Sequence, residues 1–213
     1  MKKILFAIPK GRIMNDLGKI FAQIGIIPEQ EFFDENSRKL VFKTNLESLE
    51  IVKVRSFDVA TFVKFGVCDI GICGSDVIKE FDSKDIFQVL DLDIARCRLS
   101  VAATKKIKIS NSLYSHIRVA TKYVNISSEF FMKKGIQAEI IKLNGAVEIA
   151  PILGLCDVII DLVDTGKTLE QNNIHEIEKI FDVSSFLIIN KGSLKTKNSE
   201  LNKIIDLFKH SNE

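Results

Sequence analysis

The sequence predicts an α/β protein of two lobes, with mostly parallel sheets and a central cleft. Three observations predict it. Short apolar runs rich in β-branched residues, such as Ile4–Ile8 and Val158–Val163, alternate with segments whose apolar residues recur at helical spacing. Several runs end in polar, glycine-bearing turns that lead directly into a helical segment, the pattern of strand–helix crossovers and parallel pairing. The pattern restarts near Ala95 and closes near Phe181, giving one lobe of 1–95 plus about 183–213 and another of 96–182.

Ile4–Ile8 reads as a buried strand, and Ile13, Leu17, Ile20, Phe21 and Ile24 place a helix right after the Pro9-Lys-Gly-Arg12 turn. Strands are expected at Lys39–Lys43 and Leu49–Val54, around a polar turn at 44–48. Asp58 is expected to cap a helix that buries Val59, Phe62 and Val63 and stops at Gly66. Cys68–Gly74 is a strand, Ser75 caps the helix after it, and Phe87–Asp93 completes the first lobe. In the second lobe, strands are expected at Leu99–Ala103, Ile117–Thr121, Glu139–Leu143 and Val158–Val163. Lys105–His116 reads as irregular, and helices start at Ser127 and within Asn144–Glu148, where Pro151 is tolerable only near the first turn. Strands at Glu176–Phe181 and Phe186–Asn190 precede an amphipathic helix over Glu200–His210.

With 30 basic and 28 acidic residues the net charge is +2, which gives no support for a nucleic-acid or membrane-surface protein. The N-terminal apolar stretch is five residues long with no small-residue cleavage site, so it is a first strand and not an export signal. No apolar run approaches the ~20 residues that span a membrane. Cys68, Cys73, Cys97 and Cys156 lie in apolar contexts without metal-ligand spacing, as expected of reduced core residues in a cytoplasmic protein. The three histidines are scattered, and no His-centred catalytic unit is visible.

The most informative stretch is Cys156–Leu169. Its strand ends in Asp164-Thr-Gly-Lys-Thr168, and helix-favouring residues follow. Unpaired amides at a helix start, two hydroxyls, a glycine and a lysine suit a phosphate monoester. Asp161 and Asp164 suit ribose hydroxyls or Mg2+. The pair of features fits a sugar 5-phosphate carrying a metal-bound diphosphate; it equally fits an ordinary capped β–α turn with solvated carboxylates. The Pro9–Arg12 turn is a second anion-type site. Both turns follow strands, and ligands of open α/β sheets bind at the carboxyl ends of strands.

Over nearly its whole length the chain resembles ATP phosphoribosyltransferase in its short form. The resemblance is carried by Ile8-Pro-Lys-Gly-Arg12, Arg55-Ser-Phe-Asp-Val59, Gly66-Val-Cys-Asp-Ile-Gly-Ile-Cys-Gly74, Cys97-Arg-Leu-Ser-Val-Ala102, Arg118-Val-Ala-Thr-Lys-Tyr123 and Gly145-Ala-Val-Glu148. Most specific is Asp161-Leu-Val-Asp-Thr-Gly-Lys-Thr-Leu169, similar to that family's phosphoribosyl-diphosphate loop. Departures fall at Val124, Cys73 and Ala95, where the family commonly has Pro, Thr and Gly.

The resemblance implies a periplasmic-binding-protein-like type II fold and transfer of the 5-phosphoribosyl group from phosphoribosyl diphosphate to N1 of ATP, releasing diphosphate, with Mg2+. This is the first step of histidine biosynthesis. It implies that the long form's C-terminal regulatory domain is absent. A separate regulatory subunit similar to histidyl-tRNA synthetase, and a homodimer within a hetero-octamer, are implied in its place. Asp161, Asp164, Thr165, Gly166, Lys167, Thr168, Leu169 and Glu148 are expected at the donor, with Asp161 or Glu148 on the metal. Lys10, Arg12 and Arg55 are expected to neutralise the diphosphate or triphosphate as the catalytic cations, with Arg38 and Arg96 as further candidates of the same kind. Gly11, Asp69, Gly71 and Gly74 are expected at ATP. Arg55 has an alternative in a surface pair with Asp58, Asp69 in a strand-end turn, and Glu148 in a helix first turn. A non-enzymatic ligand-binding module shares this kind of fold. An export signal or DNA-binding helix pair would mark it, and neither is visible. Transfer to another base is the other alternative.

Overall fold

The computed structural model describes residues 2–34, 36–104 and 116–210, with residue 210 by its backbone only. The chain divides into two units, Met1–Ala95 with Ser184–Glu213, and Arg96–Val183.

The first unit holds a six-stranded sheet in the order β2-β3-β1-β4-β11-β5. These strands are β1 (Ile4–Pro9), β2 (Val41–Lys43), β3 (Leu49–Val54), β4 (Ile70–Gly74), β5 (Ile86–Asp91) and β11 (Ser185–Asn190). β3, β1 and β4 are parallel, while β2, β11 and β5 pair antiparallel. β2 and β3 share one short turn, which permits only antiparallel pairing. Alternation along β1 and β4 sends residues to opposite faces. Ile4, Phe6, Ile8, Ile70 and Ile72 pack with α1 (Arg12–Ile24) and α8 (Asn198–His210), where Phe6, Phe21 and Phe208 meet edge to face. Ala7 and Cys73 face the other way, toward α2 (Ser56–Lys64) and α3 (Ser75–Phe81). Each face of the sheet therefore has its own helical layer, as the alternating sequence pattern requires.

The second unit has a five-stranded sheet in the order β10-β6-β9-β7-β8. Its strands are β6 (Cys97–Ala103), β7 (Ile117–Thr121), β8 (Ala138–Lys142), β9 (Val158–Val163) and β10 (His175–Val183). β8, β7 and β9 are parallel; β6 and β10 are antiparallel to their neighbours. The helices are α4 (Val124–Lys133), α5 (Ile149–Ile152) and α6 (Lys167–Gln171). Pro151 is the third residue of α5, inside the first turn where its missing N–H costs nothing.

Several boundaries differ from expectation. Asp58 lies inside the first turn of α2, whose cap position is Arg55, and Gly74 rather than Ser75 precedes α3. The helix expected from Ser127 begins at Val124, because apolar Ile126 is buried and extends the helical face upstream. A short helix α7 (Lys191–Thr196), capped by the Asn190 side chain accepting from the Ser193 amide, was not signalled by periodicity; nor was a 3-10 turn at Gln30–Phe32. The irregular stretch expected at Lys105–His116 lies outside the described residues up to 115.

Candidate functional site

In the second unit, three parallel strands end at one edge. β9 passes Asp161 and enters the Asp164–Gly166 turn; Gly166 adopts φ +82°, a left-handed conformation that a side chain would strain. Lys167, Thr168 and Leu169 open α6, so their amides have no acceptor within it. α6 has five residues, so its dipole is small and local amides carry the attraction for an anion. Thr165 Oγ1 accepts weakly from the Lys167 amide at 3.4 Å. Lys167 and Thr168 are exposed. Leu169 instead packs inward against a cluster with Val147, Ala150 and Ile159. That cluster also anchors the 144–148 turn, which leaves β8 at the same edge and ends in half-buried Glu148. The Thr121 hydroxyl donates to the Ile160 carbonyl at 2.8 Å and ties the carboxyl end of β7 to the middle of β9.

A cross-strand polar group supports this turn and was missed in the sequence reading. On β6, Arg98 pairs with Val163 and Ser100 with Asp161. Arg98 forks onto Glu176 at 2.7 and 2.5 Å and donates from Nη1 to the Asp164 carbonyl at 3.0 Å. Ser100 Oγ donates to the same carboxylate at 2.7 Å. The hydrogen bond from Arg98 holds the Glu176 carboxyl below its ordinary range. The sequence carries only half of it, an arginine and a serine on alternate positions of an apolar strand, and nothing local names Glu176 as their partner.

In the first unit, the carboxyl ends of β1 and β3 meet where the Lys10 amide donates to the Val54 carbonyl at 3.0 Å. This places Lys10, Gly11 and Arg12 beside Arg55, and continuing the β1–β4 register sets Gly74 level with Lys10. Continuing the β2–β3 register brings Arg38 level with Arg55. Lys10, Arg12, Arg38 and Arg55 are all exposed, and among the described residues Arg55 has no ion pair with Asp58. Gly11 takes φ +97° and turns the chain into α1. Arg12 donates to the Ala95 carbonyl at 3.1 Å. Arg96, exposed, belongs to the second unit and does not join this edge by strand register.

Two residues expected at ATP have structural contacts within the first unit. Asp69 lies before β4, at the opposite end from Gly74, and is buried. Its carboxylate accepts from the Leu5 amide at 2.9 Å, Lys197 at 2.8 Å and Ser193 at 2.6 Å, so it is a structural tie. Gly71 is needed for packing: a Cβ there would stand 2.7 Å from Val59 and 2.9 Å from Val63 of α2. The cysteines are free, and burial pushes the Cys68 thiol up to about 11, away from nucleophilic use.

A family model described as "HisG: ATP phosphoribosyltransferase" matches residues 55–210. The chain belongs to the ATP phosphoribosyltransferase family. An ATP phosphoribosyltransferase of Novosphingobium aromaticivorans is 50% identical over 97% of this chain and 93% of its own length. That of Rhizorhabdus wittichii is 46% identical, covering 99% and 96%. A solved structure, the "ATP phosphoribosyl transferase (HisG:HisZ) complex from Thermotoga maritima", superposes with TM-score 0.80 at 29% identity, covering 98% of each chain. The two α/β units expected of a type II periplasmic-binding-protein-like fold are thus those of this family.

Proposed function

We propose that the chain transfers the 5-phosphoribosyl group from phosphoribosyl diphosphate to N1 of ATP and releases diphosphate, the first step of histidine biosynthesis. The observation that carries the residue assignment is the Asp161–Leu169 turn at the carboxyl end of β9. The backbone amides from Thr165 to Thr168, with the Thr165 and Thr168 hydroxyls, bind the donor's 5-phosphate. Asp161 and Asp164 meet ribose hydroxyls. Lys10, Arg12 and Arg55 neutralise diphosphate or triphosphate, with Arg38 beside them. Gly11 and Gly74 let the nucleotide approach the backbone. Positive charge develops on the sugar as diphosphate leaves, so the residues act by positioning and electrostatics without a protein nucleophile.

No group of three or more His, Cys, Asp or Glu able to hold a metal occurs among the described residues. Mg2+ commonly rests on one or two carboxylates plus substrate phosphates, and Asp161 or half-buried Glu148 fits that smaller role. When bound, the ion neutralises diphosphate charge.

We further assign the chain a histidyl-tRNA-synthetase-like regulatory partner and a homodimer within a hetero-octamer; the T. maritima relative's HisG:HisZ complex supports this. We assign it to the cytoplasm. Free cysteines support that reading, and no described helix is long and apolar enough to cross a membrane.

Thr168→Val tests the turn. The expected result is a KM for the donor raised about tenfold, from loss of one hydrogen bond to a charged group, with the KM for ATP little changed. Equal changes in both constants would contradict the assignment. The ultraviolet absorbance change on ribosylation of N1 provides the assay, run with and without the partner subunit.

A further inference from the structure

We propose that Arg98 is a positioning residue for the phosphoribosyl donor: clamped by Glu176, it fixes the Asp164–Thr165 peptide and so aims the first amide of the 5-phosphate turn. The inference rests on the donor assignment given above and deepens it.

Four observations carry it. Arg98, Ser100 and Ala102 occupy alternate positions of β6, and the first two sit opposite Val163 and Asp161, so the group lies beside the last residues of β9. The Glu176 carboxylate takes the Nε and Nη2 edge of Arg98 in a two-point fork and is itself held by Ser100 Oγ. With that edge occupied, the planar guanidinium cannot swivel, and Nη1 points at the Asp164 carbonyl at 3.0 Å. The β10–β6 register shifts between Glu176 and Glu178, a bulge of the kind that re-aims a side chain, and Glu176 is the residue beside it.

The consequence follows from peptide geometry. A trans peptide holds its N–H opposite to its C=O. Anchoring the Asp164 oxygen on Arg98 therefore turns the Thr165 N–H away from β6. The Arg98 charge is matched by Glu176, so its part is orientation and not direct attraction of the phosphate. Glu176 serves the same end one step further out. Neither residue needs to touch the substrate.

The test compares Arg98→Ala, Arg98→Lys and Thr168→Val in the assembled enzyme, each first checked for native circular dichroism and cooperative unfolding. For Arg98→Ala, the donor KM should rise about tenfold or more, as misplaced binding groups typically cost, while the KM for ATP stays within about twofold of wild type. Arg98→Lys keeps the charge but loses the fork, and its donor KM should fall between those of wild type and Arg98→Ala. If Arg98→Ala misfolds, the lysine variant carries the test alone. A lysine variant indistinguishable from wild type would show that charge suffices and overturn the positioning role. So would an alanine variant whose two KM values rise together, or whose donor KM does not move. Thr168→Val separates the two claims. If it leaves the donor KM unchanged, the donor assignment fails; if it raises that KM while the Arg98 variants do not, only the role of Arg98 fails.

Discussion

Both oxygens of the Asp69 carboxylate are engaged inside the first unit. They join β1, through the Leu5 amide, to Ser193 of α7 and to Lys197, which follows it. The side chain is 4% exposed and that of Lys197 26%. Removing the carboxylate leaves the buried Ser193 hydroxyl and the Leu5 amide without this acceptor, and leaves half-buried Lys197 only the Lys3 carbonyl. Asp69→Ala is therefore expected to lower stability by about 3 kcal/mol in denaturant unfolding, with the KM for ATP near wild type in the folded fraction. A stable variant that loses ATP affinity would restore Asp69 to the nucleotide. Ala95 is a second residue of interest. It takes φ +50°, in the left-handed region, where the sequence resemblance places a glycine; the Ala95 amide donates to Asp16 and its carbonyl accepts from Arg12, so two contacts from α1 hold a conformation that alanine disfavours.

At the scale of elements, β7 and β9 are pinned at their amino ends by one ion pair. Arg118 donates to Asp157 at 3.0 Å and to the Gly154 carbonyl at 3.1 Å; its amide donates to the Asp157 carboxylate at 2.9 Å and its carbonyl accepts from the Asp157 amide at 2.9 Å. Hydrogen bonds from Arg118 hold the Asp157 carboxyl below its ordinary value of 3.8. A depressed carboxylate stabilises the fold above the unfolded-state value and loses that contribution as pH falls through the folded-state value. The side chain is 38% exposed, so solvent screening limits the gain to under about 1 kcal/mol. Asp157→Asn should flatten the decline of the melting temperature as pH drops from about 4 toward 2, relative to wild type. Parallel melting curves for the two proteins over that range would exclude the effect.

The same scale explains what the sequence made legible. β3, β7 and β9 were readable to the residue, because β-branched runs bounded by polar turns leave little freedom in where a buried strand starts. α7 was not, since six residues, Lys191–Thr196, are too few to show a helical period. The Asp164–Gly166 turn between β9 and α6 was readable because its residues are consecutive. The Arg98–Glu176 clamp was not: its partners are 78 positions apart, and nothing local links them. The structural contacts of Asp69 and Gly71 were hidden for a related reason. A carboxylate or glycine near a strand looks the same in sequence whether it meets a ligand or fills a helix–sheet contact, and only β4's register and the proximity of Val59 and Val63 decide.

At the scale of the whole molecule, the first unit is assembled from two distant segments. β11 lies between β4 and β5, and Leu187 and Ile189 enter the same core as Phe208 of α8. The second unit draws on residues 96–183 without interruption. A chain ended after residue 183 would strip β5 of its only neighbour among the described strands and leave β4 with an open edge. Such a truncation should lose the first unit's cooperative unfolding and aggregate, while the 96–183 segment keeps protected amides in hydrogen exchange. Equal loss of protection in both segments would show that the second unit depends on the first.

The central place of β11 also bears on synthesis. Residues 96–183 are synthesised between β5 and β11, so β4 and β5 leave the ribosome well before the strand that lies between them. During that interval β4 and β5 wait with exposed hydrogen-bonding edges, and the nascent chain's exposure to aggregation or chaperones is concentrated in its earliest-made residues.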